Sequence, residues 1–541
     1  MAQSGGSVLV KNATIITISG DVLEHSDMLV RDGIITQIGT NLQAPPRVEV
    51  VDASGKFVLP GIIDAHSHLG ISRGINEASN PVTAEVSMKD VINPLDVGIY
   101  RALAGGVTTM HVMHGSANVI GGQGATVKLK YGDDAHEMIM HNAPRTIKFA
   151  LGENPTRVHG QGIGIQPRTR MGVEQIIRES FDQAIEYRSA RNSYLNSLEA
   201  HKRNPRRVAE PQPVSKNLRM EVLADIIDGK ILVHCHSYRA DEILMLMRVF
   251  NDYGIKNYTF QHANEAFKVA PELARNGAHT SIFADWWAYK FEVYYSTSYN
   301  ASILNHYGVV NSINSDSDEV IRHLNHEAAK TVRYGNVSEN DALKMITLNP
   351  AIQLGIQDKV GSIEVGKHAD FAIWSGHPLS IYSIAEALYQ GYSVDYIHEL
   401  SKIDRWFLYK MKNIVDLQKE IQRFDLYKLP QDIFKEAKRN GFSDKQLAQL
   451  TGSTENDVRA KRKSLNIIPY VKQIDTLAAE FPAQTNYLYL TYNGNDDGIE
   501  LNGDDQIIVL GSGAYRIGSS VEFDWCCVNS VQTLNKLSYK S

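Results

Sequence analysis

Cysteine is scarce in this chain of 541 residues: there are three, Cys235, Cys526 and Cys527. An odd, low count with an adjacent pair excludes a disulfide scaffold and points to a reducing compartment. Long apolar runs are missing too. No stretch approaches the roughly 18 residues that a membrane-spanning helix needs. The start, MAQSGGSVLVKNATI, has neither a charged n-region nor an apolar h-region. A secretory signal is therefore not expected, and the chain as it stands reads as cytoplasmic. Excess charge of one sign is absent: 55 Lys and Arg stand against 61 Asp and Glu, a formal net of −6. That leaves no electrostatic case for nucleic acid or a membrane surface as a partner. What is present is an ordinary globular composition, 43% hydrophobic and 21% charged. It suits a chain of about two to four domains.

Residues 7–60 alternate short apolar runs with Gly, Asp and Asn, as in VLVKNATIITI and DMLVRDGIITQIG. That is β patterning with tight turns. From 61 to 354, strand-like runs alternate with helical stretches, which implies parallel βα units and a (β/α)8 TIM barrel with insertions. Residues 173–203 read as one long amphipathic helix, and the Pro-bearing 204–217 as a surface excursion. Residues 355–374 return to β patterning, with VGSIEVGKHADFAIW. Residues 384–469 are purely helical. Residues 470–541 are loop-rich, then give one strand, QIIVLGSG, that opens a helix as a partial Rossmann-like βα unit.

The strongest chemical signal is Asp64-Ala65-His66-Ser67-His68, just after the apolar run VLPGII. Residues i and i+2 of a strand share a face, so His66 and His68 can both point into a barrel and grip one metal. Other strand ends carry similar groups: His234 and His236 in ILVHCHS, His262 in YTFQHANE, and Asp316 in NSINSDSDE. Such groups at the carboxyl ends of barrel strands converge on one face, where this fold places its active sites. Imidazole and carboxylate together suit Zn²⁺ or a similar divalent ion. VIGGQGATVKLKYG at 119–132 lacks the Lys-Ser/Thr ending of a phosphate loop and reads as a hairpin or loop at the barrel mouth. The aromatic run DWWAYKFEVYY at 285–295 puts Trp286, Trp287 and Lys290 near the same mouth as candidate substrate contacts.

Residues 7–380 resemble the amidohydrolase superfamily, on its imidazolonepropionase-like and prolidase-like branch. The resemblance rests on VLPGIIDAHSHL at 58–69, ALAGGVTTMHV at 102–112, IKFALGE at 147–153, VHCHS at 233–237, FQHANEA at 260–266, NSDSDE at 314–319 and the run from TLNPAIQLGI at 347 to FAIW at 374. It implies a flanking β-sandwich composed of 1–60 and 355–380, one or two divalent metals, zinc first, and hydrolysis of a C–N bond in a small molecule or peptide. Carried over, His66 and His68 match the first-strand ligands, His262 the sixth-strand ligand and Asp316 the eighth-strand acid. On the fifth strand the family's HxH pattern favours His234 as the ligand and leaves His236 beside it for substrate, although both face the same way on a strand. On the fourth, either Lys148, carboxylated, or Glu153 is the bridge. They are five residues apart and face opposite sides of a regular strand, so only one can serve. Asp316 can also take a proton from water and return it to the leaving nitrogen. His236 and His114 are candidates to help polarise the scissile carbonyl. Relatives of this part often carry export signals.

Residues 384–541 resemble the large chain of carbamoyl-phosphate synthase, through GYSVDYIHELSKIDRWFLYKMKNIV at 391–415, the dense stretch 441–494 and IIVLGSGAYRIGSSVEFDWCCV at 507–528. There the helical part is an oligomerisation domain, and the end opens the second synthetase half. No ATP-grasp region is present, so synthetase activity is not expected. The two parts join at IYS, 381–383, without a linker. This reads as a truncated chimera whose sandwich lacks strands, leaving a β edge near 368–374 exposed to aggregation. The rival readings are a self-association module with an inactive barrel and a synthase remnant.

Overall fold

Fifteen strands precede the helical region in a computed structural model that describes residues 6–286, 290–379, 384–401, 403–473, 488–498, 507, 509 and 521–537. The chain divides into two units, residues 1–381 and 382–541. The first unit opens with β1 (Val8–Ile16), β2 (Val22–Arg31), β3 (Ile34–Gly39), β4 (Glu49–Asp52) and β5 (Phe57–Pro60). Nine short strands follow: β6 (Ile62–Ser67), β7 (Val107–Val112), β8 (Ile120–Gln123), β9 (Ala125–Lys128), β10 (Arg145–Ala150), β11 (Ile231–Ser237), β12 (Tyr258–His262), β13 (His279–Ile282) and β14 (Asn311–Ile313). They wall a TIM-type α/β barrel. β6 and β7 pair in parallel, and β10 to β14 run parallel in chain order. All six residues of β6 and all five of β12 are buried, as strands covered on both faces require.

Residues 120–128 correct one expectation. They are not a loop at the mouth but the third wall position, a strand interrupted at Gly124. β8 pairs antiparallel with β10, and β9 antiparallel with β7. The glycines are there because imidazoles lie against the strand. A Cβ on Gly121 would sit 2.8 Å from His114 Nδ1, and one on Gly124 would sit 2.6 Å from His111 Nε2 and from Thr146 Oγ1. Such approaches are too close for any side chain.

The barrel closes between its last and first strands. The Ile63 N–H donates to the Ile346 carbonyl at 2.8 Å and the Asp316 N–H to the His66 carbonyl at 3.1 Å. Asp64 bolts the seam: its carboxylate accepts the Ser315 N–H at 3.1 Å and the Ser315 hydroxyl at 2.5 Å. Burial pushes the Asp64 carboxyl up to about 7 against the pull of these bonds.

The long helix spans Arg170–Arg203. Thr169 caps it by accepting the Gly172 N–H, and its buried residues stop at Ala184. The second half therefore stands off the barrel, ending in His201, Lys202 and Arg203, which suit the negative end of the helix dipole. After the barrel, β15 (Phe371–Trp374) pairs antiparallel with β5 and ends the flanking sheet, ordered β15-β5-β1-β2-β3 with β4 also on β1. Among the described residues β15 has one strand partner, so its other edge is open.

The second unit contains helices Ile384–Tyr389, Val394–Ser401, Arg405–Ile421, Gln431–Arg439, Asp444–Thr451 and Glu455–Ser464. Two small cores form within it, one around Leu388, Val394 and Leu408, the other around Ile421, Phe434, Leu447 and Val458. Reciprocal capping boxes, Ser443 with Gln446 and Thr454 with Asp457, start the last two helices. β16 (Tyr470–Gln473) and β17 (Leu488–Thr491) then pair antiparallel, and a helix covers Val521–Lys536. The expected strand QIIVLGSG lies outside the described residues apart from Ile507 and Val509. The junction 381–383 and Trp287 also lie outside them. No described helix is long and apolar enough to cross a membrane.

Candidate metal centre

Five strands, β6, β10, β11, β12 and β14, deliver the expected groups to one place. His66 Nε2, His68 Nε2 and Asp316 lie together, with Asp316 Oδ1 3.6 Å from the first and 3.3 Å from the second. Their ligand-type atoms all fall within 4.8 Å of one another. His262 Nε2 is 3.8 Å from Asp316 Oδ2, and Lys148 Nζ is 3.1 Å from His66 Nε2. The His236 ring packs 4.7 Å from the His262 ring.

Backbone geometry helps to aim these groups. His262 has φ +67° and Asp316 φ +43°, the left-handed region that non-glycine residues visit at a cost. Strain of this kind persists where the surroundings over-determine it, often at functional sites.

Electrostatics disfavour the charged form of three of the imidazoles, those of His66, His236 and His262. Burial, then the neighbouring Lys148, pushes His66 well below its ordinary value; burial and nearby His262 do the same to His236. Burial takes His262 down to about 3, with Asp316 opposing. Burial also brings the Lys148 amine down to about 8. Asp316 is pulled both ways. Burial raises its carboxyl, but the bond from His68 and the His262, His68 and Lys148 charges outweigh it and hold it below the usual range.

A divalent ion fits this donor set. Neutral imidazoles with an ionised carboxylate are its ordinary ligands. Buried nitrogens of the cluster also lack protein partners: His236 Nδ1, His262 Nδ1 and His234 Nε2.

Other candidate residues separate in space. Lys148 stands beside His66, whereas Glu153 is ion-paired with Lys290 at 3.1 Å and is not in the His66–His68–Asp316 group. His234 lies deeper than His236: its Nδ1 meets Gln261 at 3.0 Å and its ring packs 4.5 Å from His111. His114 is corrected from substrate contact to structural brace. Its Nε2 accepts the Glu77 N–H at 2.8 Å and its Nδ1 donates to the Gly115 carbonyl at 2.9 Å, so neither nitrogen faces a substrate. Trp286 stacks on Phe283 at 4.5 Å, and Phe283 on His262 at 4.8 Å, forming an aromatic column beside the ligands. Lys290 Nζ lies 4.2 Å over the Tyr238 ring and 3.3 Å from Asn154 Oδ1, while Asn154 Nδ2 donates to His236 Nε2 at 3.2 Å.

Gln261, Tyr238, Phe283 and Asn154 were not singled out from the sequence. Gln261 sits next to His262, and regular alternation would send the two to opposite faces. The left-handed backbone at His262 lets both reach the site. Tyr238 lies two residues past His236, so the i, i+2 rule could have found it.

Behind this site, Arg170 bridges two buried carboxylates, Glu242 at 2.8 Å and Glu292. Glu292 also accepts the Glu153 N–H at 2.9 Å. Gly152, at φ +77°, leaves room for them; a Cβ there would sit 2.6 Å from Glu292 Oε1. Burial pushes the Glu242 carboxyl up to about 7, with Arg170 opposing and Glu292 adding to it. A raised carboxyl takes up a proton on folding, so stability falls as pH rises from about 4.5 to about 7. Glu242→Gln puts a neutral amide in place of the protonated acid. It should flatten that slope and raise stability above neutral pH by roughly 1–3 kcal/mol. Urea midpoints at about pH 5 and about pH 8 measure it; an unchanged slope refutes the assignment.

A TIM-type barrel with a His–His–Asp centre at the carboxyl ends of its strands is the framework of a barrel hydrolase. A family model, the amidohydrolase family, matches residues 212–403. The crystal structure of an amidohydrolase from Thermotoga maritima is 35% identical, covers 69% of this chain and 95% of its own, and superposes with a TM-score of 0.62. The chain belongs to the amidohydrolase family. Behind that part, the oligomerisation domain of the carbamoyl-phosphate synthetase large chain matches residues 362–466, and the carbamoyl phosphate synthase preATP-grasp domain matches 503–541. The mitochondrial arginine-specific large chain of carbamoyl phosphate synthase from Neurospora crassa is 56% identical over 155 residues, 28% of this chain and 13% of that protein. Its counterpart from Schizosaccharomyces pombe is 53% identical over 162 residues, 30% of this chain and 14% of that protein. The arrangement is chimeric, and the chain spans only a small part of these synthase relatives.

Proposed function

We propose that the barrel is a metal-dependent hydrolase of a C–N bond in an amide, cyclic amide or peptide. The convergence of His66, His68 and Asp316 within 4.8 Å carries this reading. Lys148, His236 and His262 complete the set, with Lys148 as the bridge after carboxylation and zinc as the first choice of ion. When bound, a divalent ion polarises a carbonyl and lowers the pKa of water to about 7. The chain's own residues do the rest. Asp316, kept ionised by His68, accepts a proton from the attacking water and delivers it to the leaving nitrogen. Tyr238, Phe283 and Trp286 wall the pocket and exclude bulk water. The Lys290–Glu153 pair at its rim orients a polar substrate end.

The match to an oligomerisation domain supports a second role, self-association through the helical unit. The test of the main reading is elemental mass spectrometry on the full chain, paired with hydrolysis of a dipeptide and lactam panel. One or two zinc-like ions per chain are expected, lost on chelation together with hydrolysis. Folded, metal-supplemented protein that binds no ion sinks the proposal.

A further inference from the structure

A cavity of about 190 Å³ lies against the interrupted wall strand. Arg145, which opens β10, is part of its lining. The cavity therefore sits at the amino ends of the parallel strands, whereas His262 and Asp316 stand at their carboxyl ends. Two backbone bonds frame it. The Gln123 N–H donates to the Val86 carbonyl at 2.8 Å, which ties β8 to the segment leading to Lys89. The Met140 N–H donates to the Thr126 carbonyl at 2.9 Å, which ties β9 to the segment leading to Arg145.

The charge around this cavity has one sign. Lys89 and Arg145 line it, and among the described residues of the lining none is acidic. The Arg145 guanidinium is already neutralised by Asp225 at 2.6 Å, and two of its nitrogens face Gln123 Oε1 at 3.2 and 3.0 Å. Lys89 is exposed and pairs with no described carboxylate. One positive charge is left uncompensated. Two hydroxyls stand with it. Ser87 Oγ accepts the Lys89 N–H at 3.2 Å and keeps its own proton to donate. Thr126 is only 4% exposed, and its hydroxyl has no partner. A buried hydroxyl without a bond is costly, so a ligand oxygen beside it is favourable. The remaining side chains of the lining are apolar: Ile139, Met140, Ala143 and Pro144.

We propose that this cavity binds a short aliphatic monocarboxylate. The carboxylate takes the Lys89 ammonium and the Ser87 and Thr126 hydroxyls as donors, and the alkyl body lies against the apolar side chains, where its removal from water is favourable. A single uncompensated charge matches a monoanion, whereas a phosphate dianion carries one charge in excess. The volume holds about six waters, the bulk of butanoate. The cavity shares no residue with the metal centre, and the inference stands apart from the hydrolase reading.

The full chain, zinc-loaded and labelled with ¹³C-methyl methionine, provides the test. Met140 lines the cavity, and Met140→Leu identifies its methyl resonance. Butanoate should shift that resonance saturably. Butanamide, its neutral isostere, should need at least about ten times the concentration. Lys89→Gln removes the charge at an exposed position and should raise the butanoate Kd about 5- to 10-fold. Thr126→Val, close to isosteric, should raise it about 3- to 10-fold. If Thr126→Val fails to fold, Lys89→Gln decides. The metal-free chain should give the same Met140 shift; a shift that needs zinc overturns the inference by moving the anion to the metal centre. No saturable shift, an equal response to butanamide, or a Kd unchanged by Lys89→Gln also overturns it. Inorganic phosphate bound more tightly than butanoate overturns the monocarboxylate assignment.

Discussion

Asp316→Asn should lower kcat by roughly 10²- to 10⁴-fold, the range for removing a general acid–base group, without unfolding the barrel. The substitution is close to isosteric, and asparagine adopts positive φ more readily than most residues, so the φ +43° backbone survives. The Asp316 N–H keeps its bond to the His66 carbonyl, because only the side chain changes. What disappears is the negative charge facing His66, His68 and His262 at 3.3–3.8 Å. An amide can neither take a proton from water at neutral pH nor balance a divalent cation. Zinc content should therefore fall as well. Steady-state hydrolysis, circular dichroism and metal analysis on one preparation separate these effects. A chelator-sensitive rate equal to that of the parent would show that the proton is moved elsewhere.

Lys148→Met is expected to be nearly as severe. Lys148 is among the largest fully buried side chains, and methionine fills similar volume without the amine. The core should tolerate the exchange, since a costly buried nitrogen is replaced by an apolar group. If Lys148 bridges two ions, the variant should retain at most one, and hydrolysis should drop by more than about 100-fold, beyond the loss that a merely orienting residue brings. Glu153→Gln serves as the control. Its carboxylate faces Lys290 rather than His66. Two ions retained in Lys148→Met but lost in Glu153→Gln would reverse the choice of bridge.

Much of this centre is visible in the string of residues. The His66–His68 spacing declares a shared strand face, and strand-end His262 and Asp316 follow from the βα rhythm. Other features are hidden for physical reasons. Lys148 and Glu153 could not be separated by strand spacing, because β10 ends at Ala150 and Glu153 opens a short helix beyond it, where strand alternation no longer applies. The His234–His236 pair shares a face, and only depth along the barrel axis tells them apart. The glycines at 121, 122 and 124 look like a loop in sequence. Their cause is steric: His111 of β7, His114 just beyond it and the Val86 side chain press against this wall segment, and all three are distant in sequence from the glycines' own turn signals. His114 looked functional because histidine near a site is usually suspect, yet backbone groups consume both of its nitrogens.

The seam at Asp64 and Ser315 has a consequence for the order of events during synthesis. The two residues meet across 251 positions of sequence. A ribosome releases His66 and His68 early, then Lys148, then His262. Asp316 emerges last, on the far side of the seam. Until β14 docks against β6, a growing chain offers scattered imidazoles but no closed set with a carboxylate. If the centre binds a metal as proposed, the choice of ion is postponed to the end of barrel assembly, when the ligand set has its final spacing and charge. Ions that grip loose histidines on a nascent chain compete for ligands, not for the finished centre.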